Sequence, residues 1–483
     1  MFDGQRGRDR GAGHPGPTPA RPTSVDIARW RVAVADLDRD VPDAERVDQL
    51  RALEELKAAA SAAQARIAVD LDASQRRAQA AAGVPAARRG QGVGAQVALA
   101  RRESPARGGR LLGLAKALVL EMPHTFAALA AGSISEWRAT LLVRESACLS
   151  VADRAALDAE LWADPQGLER MGDRRLVARA RAVAYRLDAA AVVRRARKAE
   201  GERGVSLRPA PDTMTYLTGL LPVAQGVGVY AALTRAADAL RAQGDGRSRG
   251  QLMADTLVER VTGQARAADV PVEVQVVMTE RTLLTGDDEP AAIPGYGTVP
   301  AEWARELVKE RTGTPKGTGT PGPGEARVLL WLRRLFTAPG TGQLVAMDSR
   351  RRIVPPGLAR FVGVRDQLCR TLWCDAAIRH RDHVVAHAEG GATTAENLQG
   401  TCEGCNYAKA APGWRARILP AADQRAGPGG HVVETTTPTG HRYASHAPAL
   451  PGHTRPAPRA ASLLPRETGS GVERALADYP WTA

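Results

Sequence analysis

The spacing of apolar residues gives the chain two textures. From Ser24 to about residue 200 they recur three and four positions apart. Leu56, Ala60, Ala63, Ile67 and Leu71 step by four, three, four and four, which predicts a helix with these side chains on its buried face. Gly83 and Pro85 end that run. Helical spacing continues around 92–104, 109–121, 123–131, 134–148, 151–162 and 174–199. Ser133 and Ser135 ahead of Glu136, and Ser150 ahead of Asp153, stand where helix N-caps stand.

Near residue 205 the texture changes. Val272, Val274 and Val276 alternate with Glu273 and Gln275, which predicts a strand, with helices around it at 222–243 and 248–263. Thr213–Thr234 is the longest uncharged run, but Thr, Pro, Gln and Gly dilute it. It reads as a buried strand or loop leading into a helix rather than a membrane span. Ile293-Pro294-Gly295-Tyr296-Gly297 predicts a turn, and Pro300 suits the first residue of a short helix to Arg311. Residues 312–324, TGTPKGTGTPGPG, offer nothing to bury and read as a linker and the main domain boundary. Beyond it the signals are β. Residues 342–347 and 350–354 flank Asp348-Ser349 as one expected hairpin. Residues 432–436 and 441–443 flank Pro438-Thr439-Gly440 as a second. The expected architecture is a mainly α N-terminal domain over 24–311 with a small α+β element, and a C-terminal α+β domain over 325–451 with its core at 365–414.

Composition narrows the class. A hydrophobic content of 44% in 483 residues excludes a wholly disordered chain. With 8 Trp, 7 Tyr and 4 Phe, aromatics are scarce, so Ala and Leu must fill the core, which favours helices. Five cysteines are too few and too clustered for a secreted disulfide scaffold. Segments 1–23 and 452–483 are rich in Gly, Pro, Ala and Arg and are expected to be disordered; the first has no apolar run of the kind a secretory leader needs. The expectation is a cytoplasmic chain with no membrane partner. Lys+Arg is 66 against 53 Asp+Glu, for a net charge of +13, and only six of the 66 are Lys. Such an Arg excess fits GC-rich coding as well as attraction to a polyanion, and charge alone does not separate the two.

Four of the five cysteines form two pairs, Cys369-x4-Cys374 and Cys402-x2-Cys405. Two thiolate pairs at this separation make a closed tetrahedral zinc site, structural rather than catalytic. Cys148 stands alone in a helical segment, as a small core residue does. Between the pairs lie His380, His383 and His387, which four sulfurs leave available. Asp382 and His383 are adjacent, so on a strand they point to opposite faces but at a strand end both can reach one pocket. Gly390-Gly391 supplies a sharp turn, Asn397 follows, and Asn406 and Lys409 fall on one helical face.

The series Asp-His, Gly-Gly, Asn, Cys-x2-Cys-Asn-x2-Lys resembles the HNH endonucleases, whose core is a ββα-metal fold, over about 365–414. The paired cysteines are similar to those of the zinc-stapled subgroup. Asn406 stands where many members carry a last His, and Ala386 where most carry Pro. The helical part, TGQLVAMDSRRR and TPTGHRY resemble an actinobacterial family that joins an N-terminal domain of unknown function (number 222) to a C-terminal HNH module, over most of 24–451. The resemblance implies a metal-dependent endonuclease acting on DNA. Asp382 and Asn406 would ligate one divalent cation; these oxygen ligands suit Mg²⁺ or Mn²⁺ better than zinc. His383 would be the general base, as histidine's ordinary pKa permits near neutrality. Asn397 would hold the loop and orient His383. Lys409 reads equally as a phosphate contact and as a solvated helix residue. Residues 350–417 hold eleven basic residues against six acidic ones. Among the basic ones, Arg379 and Arg381 are candidate nucleic-acid contacts, as is His387. Arg350, Arg351 and Arg352 are a phosphate-contacting run or a hairpin tip. The competing reading is a zinc-stabilised DNA-binding protein without catalysis. The helical part is expected to be an interaction or targeting domain, engaging a second copy of the chain or another protein.

Overall fold

A computed structural model of the chain describes residues 22–266, 276–284, 286–293, 296–312, 348–349, 354–420 and 430–450. Ten helices come first: α1 (Ser24–Ala35), α2 (Asp43–Ala81), α3 (Val93–Arg101), α4 (Pro105–Glu121), α5 (Pro123–Ala130), α6 (Glu136–Ser146), α7 (Val151–Leu161), α8 (Pro165–Glu169), α9 (Asp173–Leu187) and α10 (Ala189–Gly201). Their starts follow local chemistry. Ser135 Oγ accepts from Arg138 N and Ser150 Oγ from Asp153 N, capping α6 and α7. The segment expected as one helix over 174–199 is two, because Asp188 leaves helical geometry and its carboxylate accepts from Ala191 N to start α10.

Helices α2 to α9 enclose one core, with Val93, Leu118, Leu142, Leu157, Leu161 and Leu176 almost wholly buried. Asp158 lies at its centre, accepting from the backbone of His124 and Thr125 and from the Thr125 hydroxyl, so this buried carboxylate caps the N-terminus of α5 from α7. The expected buried face of α2 holds only at Leu71, which packs against the core. Ala58, Ala62, Ala65, Ala68 and Asp72 face the core, whereas Leu56 and Ile67 are 46% and 61% exposed. Short alanines let α4 and α5 approach α2 closely, and that gain in contact outweighs burying the larger side chains on the other side of the helix.

A mixed section follows: β1 (Gly204–Pro209) and β2 (Thr215–Leu220) pair antiparallel, then come α11 (Val223–Ala242), α12 (Arg249–Thr262), α13 (Glu280–Leu284), the hairpin β3 (Ala291–Ile293) and β4 (Gly297–Val299), and α14 (Ala301–Thr312). The expected strand around Val272 lies outside the described residues apart from Val276. Thr213–Thr234 does run from a strand into a helix, but β2 is exposed throughout rather than buried. No single helix among the described residues is long and apolar enough to cross a membrane. The expected linker lies outside the described residues except Thr312, which ends α14. The segments expected to be disordered also lie outside them, but for a few residues beside α1.

The C-terminal part holds β5 (Asp348–Ser349), α15 (Pro356–Asp366), β6 (His380–His383), β7 (Thr393–Thr394), β8 (Leu398–Thr401), α16 (Glu403–Lys409), β9 (Arg415–Leu419), β10 (Val432–Thr436) and β11 (Arg442–His446). Asp348-Ser349 is not the tip of a hairpin; it is a short strand paired with Thr393-Thr394. The second expected hairpin is present as β10–β11, and β9 adds a third strand on its other side.

A buried ionic network binds these pieces. Asp366 accepts from Arg365 Nε and Arg370 Nη1 on one oxygen and from Gly400 N on the other. Arg365 donates to the carbonyls of Ala395 and Leu398, and Arg370 to those of His431 and Ser445. One carboxylate thus joins α15, β8 and the β10–β11 sheet. Arg365 and Arg370 are 3% and 4% exposed, so they leave the basic surface to which their charge assigns them. Burial alone would raise the Asp366 pKa, but the hydrogen bonds and charge of Arg365, with that of Arg370, hold it below the ordinary range. His431 accepts from Arg370 at Nδ1 and so carries its proton on Nε2, facing the Glu396 carbonyl. Burial, then the charges of Arg365 and Arg370, lower its pKa to about 4.

The two parts of the chain meet at Gly92, which has a positive φ and precedes α3. A Cβ there would lie 2.5 Å from Trp414 Nε1 and 2.9 Å from Ala411 Cβ. Gln91 donates to the Tyr407 carbonyl and Thr439 to Gln96 Oε1 across the same contact.

Asp366→Ala leaves two buried guanidinium groups without their carboxylate and is expected to cost about 3–5 kcal/mol in chemical denaturation. The depressed His431 pKa places its stabilisation fully above about pH 6.5, and that stabilisation is lost as the pH falls towards 4. The expected loss over this window is about 3 kcal/mol. A His431→Gln variant should show a flatter stability profile between those limits.

Candidate active site

The site rests on an antiparallel pair closed by a helix. Strands β6 and β8 run in the register His380↔Thr401, Arg381↔Gly400, Asp382↔Gln399 and His383↔Leu398. Cys402 follows at once, and its sulfur accepts from Cys405 N to cap α16, which lies against β6. Arg370 N donates to Gly400 O and Arg379 N to Thr401 O, extending the ladder past β8.

The connection between the strands is held by Asn397, 7% exposed. Its Oδ1 accepts from Val385 N and its Nδ2 donates to the carbonyls of Val385 and Ala392. Its own carbonyl accepts from Val384 N. Gly391 is required by this closure, because a Cβ there would lie 1.9 Å from Val385 O.

Asp382 and His383 diverge as neighbours on a strand must. Asp382 forms an ion pair with Lys409 of α16, whose ammonium also reaches the His383 and Val384 carbonyls. Asp382 Oδ2 is buried, and its approach to Lys409 lacks hydrogen-bond geometry. His383 Nε2 lies 2.9 Å from Thr393 Oγ1, and its ring is 5.7 Å from that of His387, edge to face. Asn406 sits half-buried on α16, one turn before Lys409. Asp382, Asn406 and Lys409 therefore share the helix side of the strand, and His383, Thr393 and His387 the loop side. Asp382 Oδ2 is buried without a hydrogen bond but faces the Lys409 ammonium, and a carboxylate with an amide on the facing helix is a set of oxygen donors whose chemistry suits a hard divalent cation.

Sequence reasoning did not find Thr393. A threonine in a loop carries no signal of its own, and it meets the histidine through a loop fixed by Asn397 on Ala392 and Thr394 and by the pairing of β7 with β5. Arg379 and Arg381 are exposed, and Arg381 Nε leans over α15 onto the Ala359 carbonyl. Arg350, Arg351 and Arg352 lie outside the described residues. His380 is half-buried with its ring 6.4 Å from Tyr407.

The four sulfurs of Cys369, Cys374, Cys402 and Cys405 lie within 4.8 Å of one another. Cys374 Sγ and Cys402 Sγ are 3.6 Å apart, too far for a disulfide and close to the roughly 3.8 Å edge of a tetrahedron with Zn–S bonds of about 2.3 Å. Hydrogen bonds from Cys374 and Cys405 hold the Cys369 thiol well below its usual pKa. Those same bonds and burial push the two donors up. Four thiolates this close together require a cation at the centre.

Two family models match the chain. One described as Domain of unknown function (DUF222) matches residues 50–319, more than half of the chain, and one described as HNH endonuclease matches residues 373–411. No curated protein and no solved structure matches. The cluster is expected to hold one zinc per chain in elemental analysis of the purified protein. Cys405→Ser should bind zinc at least about tenfold more weakly in a chelator competition.

Proposed function

The chain belongs to the DUF222 family and carries an HNH endonuclease domain near its C-terminus, and from this we propose that it is a metal-dependent endonuclease hydrolysing DNA phosphodiester bonds. The observation that carries the reading is that Asp382, His383, Asn406 and Lys409 all lie on one β6–β8–α16 unit, Asp382 and Lys409 paired on its helix side and His383 on its loop side, beside a site suited to structural zinc. A closed four-sulfur site holds the fold and leaves chemistry to the oxygen and nitrogen ligands nearby.

In this reading His383 is the general base that takes the proton of the attacking water. The contact between His383 Nε2 and the Thr393 hydroxyl orients the ring for that role. Asn397 keeps the loop closed, so that the histidine ring and the end of β6 hold one arrangement. Asp382 and Asn406 would hold one Mg²⁺ or Mn²⁺, which supplies Lewis-acid stabilisation of the charge developing on the phosphate and leaving oxygen. Lys409 balances the Asp382 carboxylate and adds a positive charge suited to a phosphate oxygen. Exposed Arg379 and Arg381 are suited to the backbone of the nucleic acid, and His387 to a contact beside the base.

One observation favours the alternative of a zinc-stabilised DNA-binding protein: Asp382 already has a cation partner within the chain. A plasmid assay with Mg²⁺ and Mn²⁺ separates the two. Nicking or linearisation is expected, reduced at least about 100-fold in His383→Ala with DNA binding retained. Equal cleavage by His383→Ala, or none by the parent with either ion, would overturn the catalytic reading.

A further inference from the structure

Asp382 is held differently from the other two carboxylates on which the fold is built. Both oxygens of Asp366 accept hydrogen bonds, and so do both oxygens of Asp158. Asp382 Oδ2 is buried but accepts none. Its partner is the Lys409 ammonium, and the pair is one of charge alone. Lys409 spends its hydrogen bonds elsewhere. It donates to the His383 carbonyl and reaches that of Val384 at 3.5 Å. Neither of these contacts involves the carboxylate. Both side chains of the pair keep 19% of their surface open, so a cation from solvent can reach its edge.

The surroundings favour release as well as pairing. Lys409 is the last residue of α16, where the helix dipole favours a positive charge with or without Asp382. Its four-carbon stem lets the ammonium shift while it keeps a carbonyl. No other cation pairs with Asp382 among the described residues, and Arg381 beside it leans away onto the Ala359 carbonyl. The residue opposite Asp382 on β8 is the uncharged Gln399. Asn406, one turn before Lys409, engages its neighbours through its backbone alone among the described residues. Its amide oxygen is a donor that an ammonium leaves unused and a hard divalent cation takes up.

We propose that Lys409 competes with the divalent cation for Asp382, and so sets how tightly the site takes metal. The inference rests on the reading of Asp382 and Asn406 as the cation's ligands. A carboxylate engaged by an ammonium is available for only part of the time, and the apparent affinity for metal falls by that fraction. Repulsion between the ammonium and a doubly charged ion lowers it further. The Asp382–Lys409 pair is neutral by itself. With the cation bound the site becomes net positive, and the ammonium it releases suits a phosphate oxygen.

The test is Mn²⁺ binding to the full chain without nucleic acid, read from the electron paramagnetic resonance signal of free Mn²⁺. Asp382→Asn is expected to abolish binding at this site and so identifies it. Lys409→Met, similar in length and uncharged, should lower the Mn²⁺ dissociation constant at least about tenfold. Adding Asp382→Asn to that chain should remove the gain. Lys409→Gln, which still donates hydrogen bonds, is expected to behave alike and guards against a local loss of fold. As a second readout, Mn²⁺ should raise the thermal midpoint of Lys409→Met by more than it raises the parent's. If Lys409→Met binds no more tightly than the parent, while Asp382→Asn removes binding from both, the role of Lys409 is overturned and the metal site stands. Absence of Asp382-dependent binding in every variant would overturn the metal site and this inference together. A gain that survives Asp382→Asn would overturn the competition alone.

Discussion

Asp366 is the carboxylate on which the C-terminal part is assembled. It lies at the end of α15 and accepts from two guanidinium groups and one backbone amide, with its side chain wholly buried. Desolvating three charges is costly, and the arrangement holds because every partner is satisfied in turn by carbonyls of β8, of the loop before it, and of the β10–β11 sheet. The strand that receives this support, β8, is the one that pairs with β6 and so sets the register of Asp382 and His383. The network acts on the candidate site without touching it.

A second chain of contacts runs from the helical part to the same site. Gln79, buried near the end of α2, accepts from Gly90 N and donates to the Gln91 carbonyl, which fixes the turn ahead of α3. That turn presents Gly92 to Trp414 and Ala411, just beyond α16. The helix carrying Asn406 and Lys409 is thus backed by the helical part on one side while it faces β6 on the other. The N-terminal part is joined to the site mechanically, whatever else it recognises.

Within the site, labour is divided by the hardness of the donors. Sulfur is confined to the Cys369–Cys405 cluster, where it can hold zinc and fasten the start of α16. Oxygen and nitrogen line β6 and the loop above it. Asn397 spends every polar atom of its side chain on the backbone, so its contribution is rigidity.

The sequence by itself determined the features that depend on local spacing. Helical periodicity and serine caps marked α6 and α7, Pro438-Thr439-Gly440 marked the β10–β11 turn, and the two cysteine pairs with Asp382, His383 and Asn397 between them marked the site. The caps, the turn and each cysteine pair are encoded by residues a few positions apart. Tertiary structure alone decided the rest. Which face of α2 is buried depends on how closely α4 and α5 approach, and alanine wins there although Leu56 and Ile67 have the more apolar side chains. Asp348-Ser349 has the composition of a turn but finds its partner strand 44 residues away, and Thr393 meets His383 through a loop closed across the fold. Arg365 and Arg370 count among the eleven basic residues of 350–417, yet a single carboxylate draws both inside. Burial and ion pairing are properties of what lies across the fold, and a one-dimensional pattern carries no record of the opposite side.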